Sequence, residues 1–354
     1  MKNKKRIGSL LCMLAASALL LTGCAMGEAD GAKTVQGIKA LEEGEYEQAQ
    51  KFFEDAVREG EQQMLACRGL GMAYMGLARY EEAEESFKAA LEYADNRQPE
   101  NVRDIRLYLA TVQYRLGEYE DAVGTCTDLL EADQEGNVEA YYLRGAASLM
   151  ENEQDAARAD FDAAVAMDPG NYDLYLNIYE CYNQKNLSGL GGEYLQSALN
   201  IQGEELEHYY NRGRVYFYLE NYEEAQRQLI GPVEAGYEPA MYLIGRVYLA
   251  LDDYEHARAV YQQIADKSGA SAETYNGLAL CAMQMKDYGT ALSYISQGLA
   301  LEDAADKQEL YFNEILVYEK KLDFETAKIK AQEYVVRYPS DEAGQREKTF
   351  LSTR

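Results

Sequence analysis

Apolar residues recur every three or four positions along most of the chain, and residues 79–91, RYEEAEESFKAAL, show the pattern clearly. Tyr80, Ala83, Phe87 and Leu91 have the spacing of one stripe along an α-helix, and four glutamates occupy positions between them. Acidic residues in such a helix usually form a solvated face, although they could also form a metal or acid–base site. The pattern therefore predicts an amphipathic helix with a wet outer surface.

Similar stretches recur along the chain at intervals close to 34 residues. Each carries a small residue three positions after an aromatic one, as in GEYEQAQKFFEDAV at 44–57 and DDYEHARAVYQQIA at 252–265. Related stretches occupy 117–130, 220–233 and 286–299. Self-similarity at such a period is typical of repeat proteins, so the chain is expected to form a repeat array rather than one round core.

The pattern resembles the tetratricopeptide repeat family, whose repeats place small residues at positions 8 and 20 and an aromatic residue at position 17. Nine frames fit, and they start near residues 30, 64, 103, 138, 172, 206, 238, 272 and 308. Position 17 is aromatic in seven of the nine, and position 8 departs from the pattern at Tyr179 and Ile315. Position 20 is small in every frame, as Ala49, Ala83, Ala122, Ala157, Gly191, Ala225, Ala257, Ala291 and Ala327.

The resemblance implies an all-α fold, a right-handed α-solenoid of about nine helix hairpins over residues 34–341. Small residues at positions 8 and 20 would let the two helices of a hairpin approach closely. The fifth frame is the weakest, because Ser188 replaces the aromatic residue at position 17. The repeat register predicts one extended unit, and the polar segment 342–354 is expected to form a capping helix with a frayed end.

The first residues have the features of an export signal. Four basic residues precede an apolar run of 15, and LTGC follows at 21–24. This resembles a bacterial lipoprotein signal, which implies a signal peptide at 1–23, lipid attachment at Cys24 and a short tether over 24–33. An ordinary signal peptide and an uncleaved anchor are alternatives. The expected location is extracytoplasmic, on the cell membrane or the outer membrane, with lipid on Cys24 as the membrane contact.

The chain is strongly acidic, with a formal net charge of −27. Removal of residues 1–23 takes away four basic residues and no acid, which changes the charge to −31. Such a charge repels nucleic acid and anionic lipid, so no nucleic-acid partner is expected.

Motifs for catalysis or metal binding are not evident in the sequence. The two histidines, His208 and His256, have no adjacent nucleophile motif, and no CxxC pair occurs. The glycine-rich segment SGLGG at 188–192 is not preceded by a strand or followed by the lysine of a phosphate-binding loop, so a helix–helix turn is expected there. No enzyme activity, cofactor or metal is predicted. Cys67, Cys126, Cys181 and Cys281 are interpreted as core or helix residues.

In the family, first helices line the concave surface mainly through positions 2, 5, 9 and 12. Arg214 and Arg246 both fall at position 9, where a guanidinium between apolar or aromatic side chains could grip a carboxylate. Pairing with internal acids such as Glu180 is the alternative. Position 9 is never asparagine, so the family's clamp for a terminal carboxylate is not transferred. The candidate groove residues are Tyr142, Tyr210, Arg214, Phe217, Tyr242, Arg246, Leu249 and Asn276.

These observations predict a lipid-anchored scaffold at the bacterial cell envelope that binds protein segments in its groove. The alternative is a small-molecule or saccharide-binding lipoprotein, because 31 tyrosines could provide stacking surfaces for sugars. An enzyme with an unrecognised site is a further alternative. Nothing in the sequence indicates an oligomeric state.

Overall fold

The computed structural model describes residues 31–95, 99–133, 136–301 and 307–354. Nineteen α-helices and no strand occur in these ranges, so the predicted all-α fold is confirmed. The predicted signal peptide, Cys24 and most of the predicted tether lie outside the described residues.

The helices are numbered in chain order as α1 (Ala32–Glu42), α2 (Tyr46–Glu59), α3 (Gln63–Gly76), α4 (Tyr80–Glu92), α5 (Pro99–Leu116), α6 (Tyr119–Ala132), α7 (Val138–Met150), α8 (Gln154–Met167), α9 (Tyr172–Gln184), α10 (Ser188–Ala198), α11 (Leu206–Tyr218), α12 (Tyr222–Glu234), α13 (Glu238–Ala250), α14 (Tyr254–Ser268), α15 (Ala272–Gln284), α16 (Tyr288–Ala300), α17 (Gln308–Lys320), α18 (Phe324–Arg337) and α19 (Glu342–Ser352). The odd-numbered helices α1 to α17 are the first helices of nine hairpins, and the even-numbered helices α2 to α18 are the second helices.

The chain divides into two compact units, with the boundary inside α10 between Tyr194 and Leu195. In the N-terminal unit, consecutive helices contact each other from α1 to α9. In the C-terminal unit they do so from α11 to α19, and α11, α13, α15 and α17 also contact one another in sequence. Each unit is thus a stack of helical hairpins. The handedness and the single extended array predicted from the sequence stay predictions.

All nine hairpins turn in the same way. The residue at position 15 has a positive φ in each of them, although only Gly44 and Gly117 are glycines. The next N–H donates to a carbonyl five residues back at 2.8–3.0 Å, as from Arg79 to Tyr74. This bond satisfies one of the last carbonyls of the first helix. The turn fixes where every second helix begins, including α10, whose sequence match is weakest.

In five hairpins the core pairs a glycine at position 8 with a larger residue at position 24 of the second helix. Phe87 is fully buried, and a methyl group at Gly71 would lie only 2.7 Å from its Cε1 atom. Four other glycines meet the position-24 side chain in the same way, in the pairs Gly37 and Phe53, Gly145 and Phe161, Gly213 and Leu229, and Gly245 and Tyr261. Close helix packing in these hairpins therefore depends on the absence of a Cβ atom at position 8.

The two departures at position 8 are offset by their partners. A methyl group at Gly191 would lie 3.0 Å from both the Cα and the carbonyl oxygen of Tyr179, so glycine suits the fifth hairpin at position 20. In the ninth hairpin Ile315 is large, and position 24 is the small residue Ala331; both are buried in one cluster. Exchanging the large and small sides conserves core volume, which hydrophobic cores tolerate well.

Candidate functional site

The structure divides the predicted groove residues between the two units. Tyr142 belongs to the N-terminal unit, on α7. The other seven lie in the C-terminal unit, on α11, α13 and α15. The candidate site is therefore built from these three first helices.

Tyr142 is a packing residue, which corrects its assignment to the groove. Its side chain is 4% exposed, and its hydroxyl lies 3.4 Å from Sγ of Cys181. Burial raises the pKa of Tyr142 well above its ordinary value, and the neighbouring thiol raises it further. A partner has no access to a side chain enclosed in this way.

Asn276 is also enclosed, which corrects its assignment as well. Its side chain is 6% exposed, and its Nδ2 donates to Oε2 of Glu309 at 2.8 Å. Its Oδ1 accepts from Nδ2 of Asn313 at 2.6 Å. Both partners are on α17, so Asn276 joins two first helices instead of facing a ligand.

Tyr210 and Tyr242 are partly buried and reach toward the start of the next first helix. The ring of Tyr210 packs edge-on against Tyr237, with centroids 5.3 Å apart. The hydroxyl of Tyr242 lies 3.3 Å from Oγ of Ser271 and 3.2 Å from Oγ1 of Thr274. Like Tyr142 and Asn276, these residues occupy position 5, so this position mainly links successive hairpins. A saccharide site would have to compete with these contacts.

Arg214 is partly buried and interacts with its own helix. Its Nη1 donates to Oδ1 of Asn211 at 2.9 Å, and its guanidinium carbon lies 5.7 Å from the centre of the Tyr210 ring. These contacts hold the guanidinium beside α11.

Arg246 has a different environment. Its guanidinium carbon lies 4.7 Å from the centre of the Phe217 ring, which is within the range of a cation–π contact. Within residues 31–95, 99–133, 136–301 and 307–354, no carboxylate or hydrogen-bond acceptor pairs with it. The alternative of neutralisation by an internal acid is therefore not observed for Arg246 in the described part of the chain.

Phe217, Tyr242, Arg246 and Leu249 define what we call the first-helix face of the C-terminal unit. All four are partly exposed, and the last three follow one another by about one turn of α13. Phe217 comes from the neighbouring helix α11. The face thus offers one guanidinium bordered by aromatic and aliphatic surface. Such a group can form charge-assisted hydrogen bonds with a carboxylate and stack on planar groups.

A set of polar pairs inside hairpins was not recognised in the sequence. Arg144 donates from Nε and Nη2 to both carboxylate oxygens of Asp160 at 2.8 and 2.7 Å. At the same two positions of other hairpins, Arg212 donates to Gln228 at 3.1 Å and Lys330 lies 3.4 Å from Glu314. The partners are 16 residues apart each time, and this spacing between complementary polar residues is the signal that could have found them.

The thiols and histidines of the described residues show no catalytic arrangement. Cys67, Cys126, Cys181 and Cys281 are buried, and burial raises the pKa of Cys126 to about 12 and that of Cys181 to about 11. His256 is exposed beside Asp253, with Nδ1 to Oδ2 at 2.7 Å. In the same part of the chain, no three His, Cys, Asp or Glu side chains are grouped as metal ligands. Nor does any described helix combine the length and apolarity needed to cross a bilayer.

The solved structures that resemble this chain include tetratricopeptide repeat proteins. A tetratricopeptide repeat protein from Parabacteroides merdae ATCC 43184 is 15% identical with a TM-score of 0.49, and the match covers 72% of this chain and 99% of that one. MamA from Desulfovibrio magneticus RS-1 is 18% identical with a TM-score of 0.43, and the match covers 50% of this chain and 97% of MamA. YrrB, described as having an unusual peptide-binding site, is 25% identical with a TM-score of 0.39. The match covers 50% of this chain and 88% of YrrB.

No curated protein sequence matches the chain significantly. The tetratricopeptide repeat family model matches residues 34–101, 68–137, 107–172, 210–272 and 242–309. The unmatched stretch between 172 and 210 contains the fifth hairpin, where Tyr179 and Ser188 depart from the repeat pattern. The matches cover more than half of the sequence, and the nine turns and hairpin cores follow the same register. The chain therefore belongs to the tetratricopeptide repeat family.

Proposed function

We propose that this chain is a non-catalytic protein-interaction scaffold whose C-terminal unit binds a protein segment on its first-helix face. The observation that carries this proposal is Arg246, a partly buried cation on an aromatic ring with no anionic partner among the described residues. Arginine beside aromatic surface is a combination enriched at the centres of protein interfaces.

The arrangement of helices supports a segment rather than a compact small ligand. The first helices α11, α13 and α15 contact one another in sequence, and the partly exposed side chains of the first-helix face come from two of them, α11 and α13. Extended and helical peptides both bind to surfaces of this kind through a few anchoring side chains. In contrast, the tyrosines at position 5 that could stack on sugars are used in contacts between hairpins.

We further propose that the scaffold is exported and lipid-anchored at the bacterial envelope through Cys24. Support comes from the basic residues, the apolar run and the LTGC sequence at the start of the chain. Replacing Cys24 with serine should release the protein into the soluble fraction of cells. Unchanged retention in the membrane fraction would contradict the lipid anchor without affecting the binding proposal.

Site-specific photo-crosslinking in intact cells tests the binding proposal. A crosslinking amino acid at Leu249 should give a discrete adduct with an envelope protein, identifiable by mass spectrometry. The same amino acid at Val336, a 73% exposed residue on the second helix α18, is the matched control and should give none. Combining the Leu249 probe with Arg214→Glu and Arg246→Glu should abolish the adduct. Equal adducts from both probe sites would contradict the proposal.

A further inference from the structure

Arg246 has no carboxylate partner among the described residues, although its guanidinium is partly buried. The sequence contains 61 acidic and 34 basic residues, so acidic side chains greatly outnumber cations. Several other arginines of the described residues pair with a carboxylate: Arg68 with Asp104, Arg144 with Asp160, Arg158 with Glu193, and Arg258 with Glu255. Arg212 donates instead to neutral acceptors, the Gln228 side chain and the Gly203 carbonyl. Leaving a partly buried guanidinium without an anion loses the stabilisation that these pairs provide.

Two acidic residues, Glu273 and Glu309, act electrostatically on Tyr261 together with Arg246, and each of them has another contact or is solvated. Tyr261 is 2% exposed, with its ring against both Gly245 and Gly277, between α13 and α15. Burial raises the pKa of this tyrosine, the charge of Arg246 lowers it, and the charges of Cys281, Glu273 and Glu309 raise it. Glu309 accepts a hydrogen bond from Asn276, and Glu273 is exposed at the start of α15. Among the described residues neither carboxylate forms an ion pair with Arg246.

We propose that Arg246 is the anchor for a single aspartate or glutamate side chain located inside a bound protein segment. Phe217 holds the guanidinium from one side, and Leu249 contacts an apolar side chain next to the acid. This inference rests on the proposed function and names the chemistry of the segment. One unpaired cation matches one carboxylate, because the neighbouring Arg214 is held by Asn211 and the Tyr210 ring.

The place of Arg246 within the unit favours an internal acid over a terminal carboxylate. Helix α13 contacts α11 on one side and α15 on the other, and α17 follows α15. A segment can therefore continue along first helices in both directions from Arg246. A terminal carboxylate would end the segment at this point and leave the first helices on one side of Arg246 without a contact.

The test uses peptides selected from a random 12-residue display library on the purified full chain. Binding of fluorescein-labelled selected peptides is then measured by fluorescence anisotropy. Selected peptides should contain an internal aspartate or glutamate, and replacing it with asparagine or glutamine should weaken binding about tenfold. Arg246→Gln should weaken binding of the acidic peptide by a similar factor. Arg258→Gln, an exposed arginine on α14 that pairs with Glu255, is the matched control and should have no effect.

A double-mutant cycle decides whether the two groups touch. The neutral peptide should bind Arg246→Gln as well as it binds the unmodified protein. If the peptide change and Arg246→Gln weaken binding independently, so that their factors multiply, the inference is overturned. Loss of binding on C-terminal amidation of the peptide would also overturn it. The inference fails and the proposed function stands if the peptides bind Arg246→Gln with unchanged affinity but bind Leu249→Lys more weakly. If the library gives no binding peptide, both fail. Circular dichroism of every variant shows whether folding is retained.

Discussion

The guanidinium of Arg246 on α13 lies over the ring of Phe217 on α11, with 4.7 Å between the guanidinium carbon and the ring centre. The contact joins two first helices of the C-terminal unit and holds a cation at its partly exposed surface. A charge kept in place by a neutral ring is still able to bind an anion. The same contact therefore contributes to both packing and proposed binding.

The stability contribution of this contact can be measured directly. A double-mutant cycle with Phe217→Leu and Arg246→Gln should give a coupling free energy of about 0.5–1 kcal/mol, as expected for a partly exposed cation–π pair. Urea unfolding of the four proteins provides the values. A coupling near zero would show that the ring does not hold the guanidinium in solution.

The pair formed by Arg144 and Asp160 should be far more important for stability. Asp160 is buried, and both its oxygens accept from the guanidinium, so Asp160→Ala leaves a half-buried cation without a carboxylate partner. We expect a loss of about 3 kcal/mol in the free energy of unfolding. The exposed pair of Arg158 and Glu193 is the control, and Glu193→Ala should change stability by less than about 1 kcal/mol. Equal losses in the two variants would contradict the role of burial.

Two glycine substitutions should act in opposite directions. Gly71→Ala places a methyl group against the buried Phe87 ring and should destabilise the protein by about 1–3 kcal/mol through overpacking. Gly124 is exposed within α6, and no atom lies within 4 Å of its added methyl group. Gly124→Ala should therefore stabilise the protein by about 0.5–1 kcal/mol, because alanine favours the helix. Thermal unfolding distinguishes these outcomes, and a neutral Gly71→Ala would argue against the tight hairpin contact.

Glu319 on α17 should make stability depend on pH. Burial raises the pKa of its carboxyl to about 8, and a hydrogen bond with Glu347 of α19 contributes to the increase. The folded state therefore keeps a proton that the unfolded chain releases near its ordinary pKa of about 4.5. The contribution of Glu319 to the free energy of unfolding should be fully present below pH 4.5 and should be lost as the pH rises to about 8.

Glu319→Gln should remove this part of the pH dependence and raise the urea midpoint at pH 8 relative to the unmodified protein. At pH 4.5 the two proteins should have similar midpoints. Glu325→Gln, at an exposed position on α18, should leave the profile unchanged. A Glu319→Gln profile parallel to that of the unmodified protein would contradict a partly buried carboxyl that stays protonated at neutral pH.

The fold could be predicted from the sequence because the repeated small residues mark the positions where the two helices of a hairpin touch. Small residues such as Ala83 at position 20 and glycines such as Gly71 at position 8 occur where helices touch, and that contact depends on residue size alone. The offset of Ile315 by Ala331 could not be predicted from position 8 alone, because it depends on the total volume of two facing side chains. The boundary inside α10 also has no counterpart in the repeat register.

The candidate site was predictable only in part. The register indicates which face of a first helix Asn276 or Tyr142 occupies, but it does not show how far each side chain reaches. In the structure both reach the next first helix and are enclosed there. Arg246 and Arg214 share position 9, yet only local contacts, such as that of Arg214 with Asn211, distinguish their environments. Side-chain partners from the next repeat decide the outcome for Tyr142 and Asn276, and partners on its own helix decide that for Arg214.

Hydrogen exchange of the full chain with and without the partner captured at Leu249 is the most direct test of the central proposal. Amide protection should increase in α11 and α13, whereas the second helices α12 and α14 should show no comparable change. Protection confined to second helices, or absent from the C-terminal unit, would contradict binding on the first-helix face.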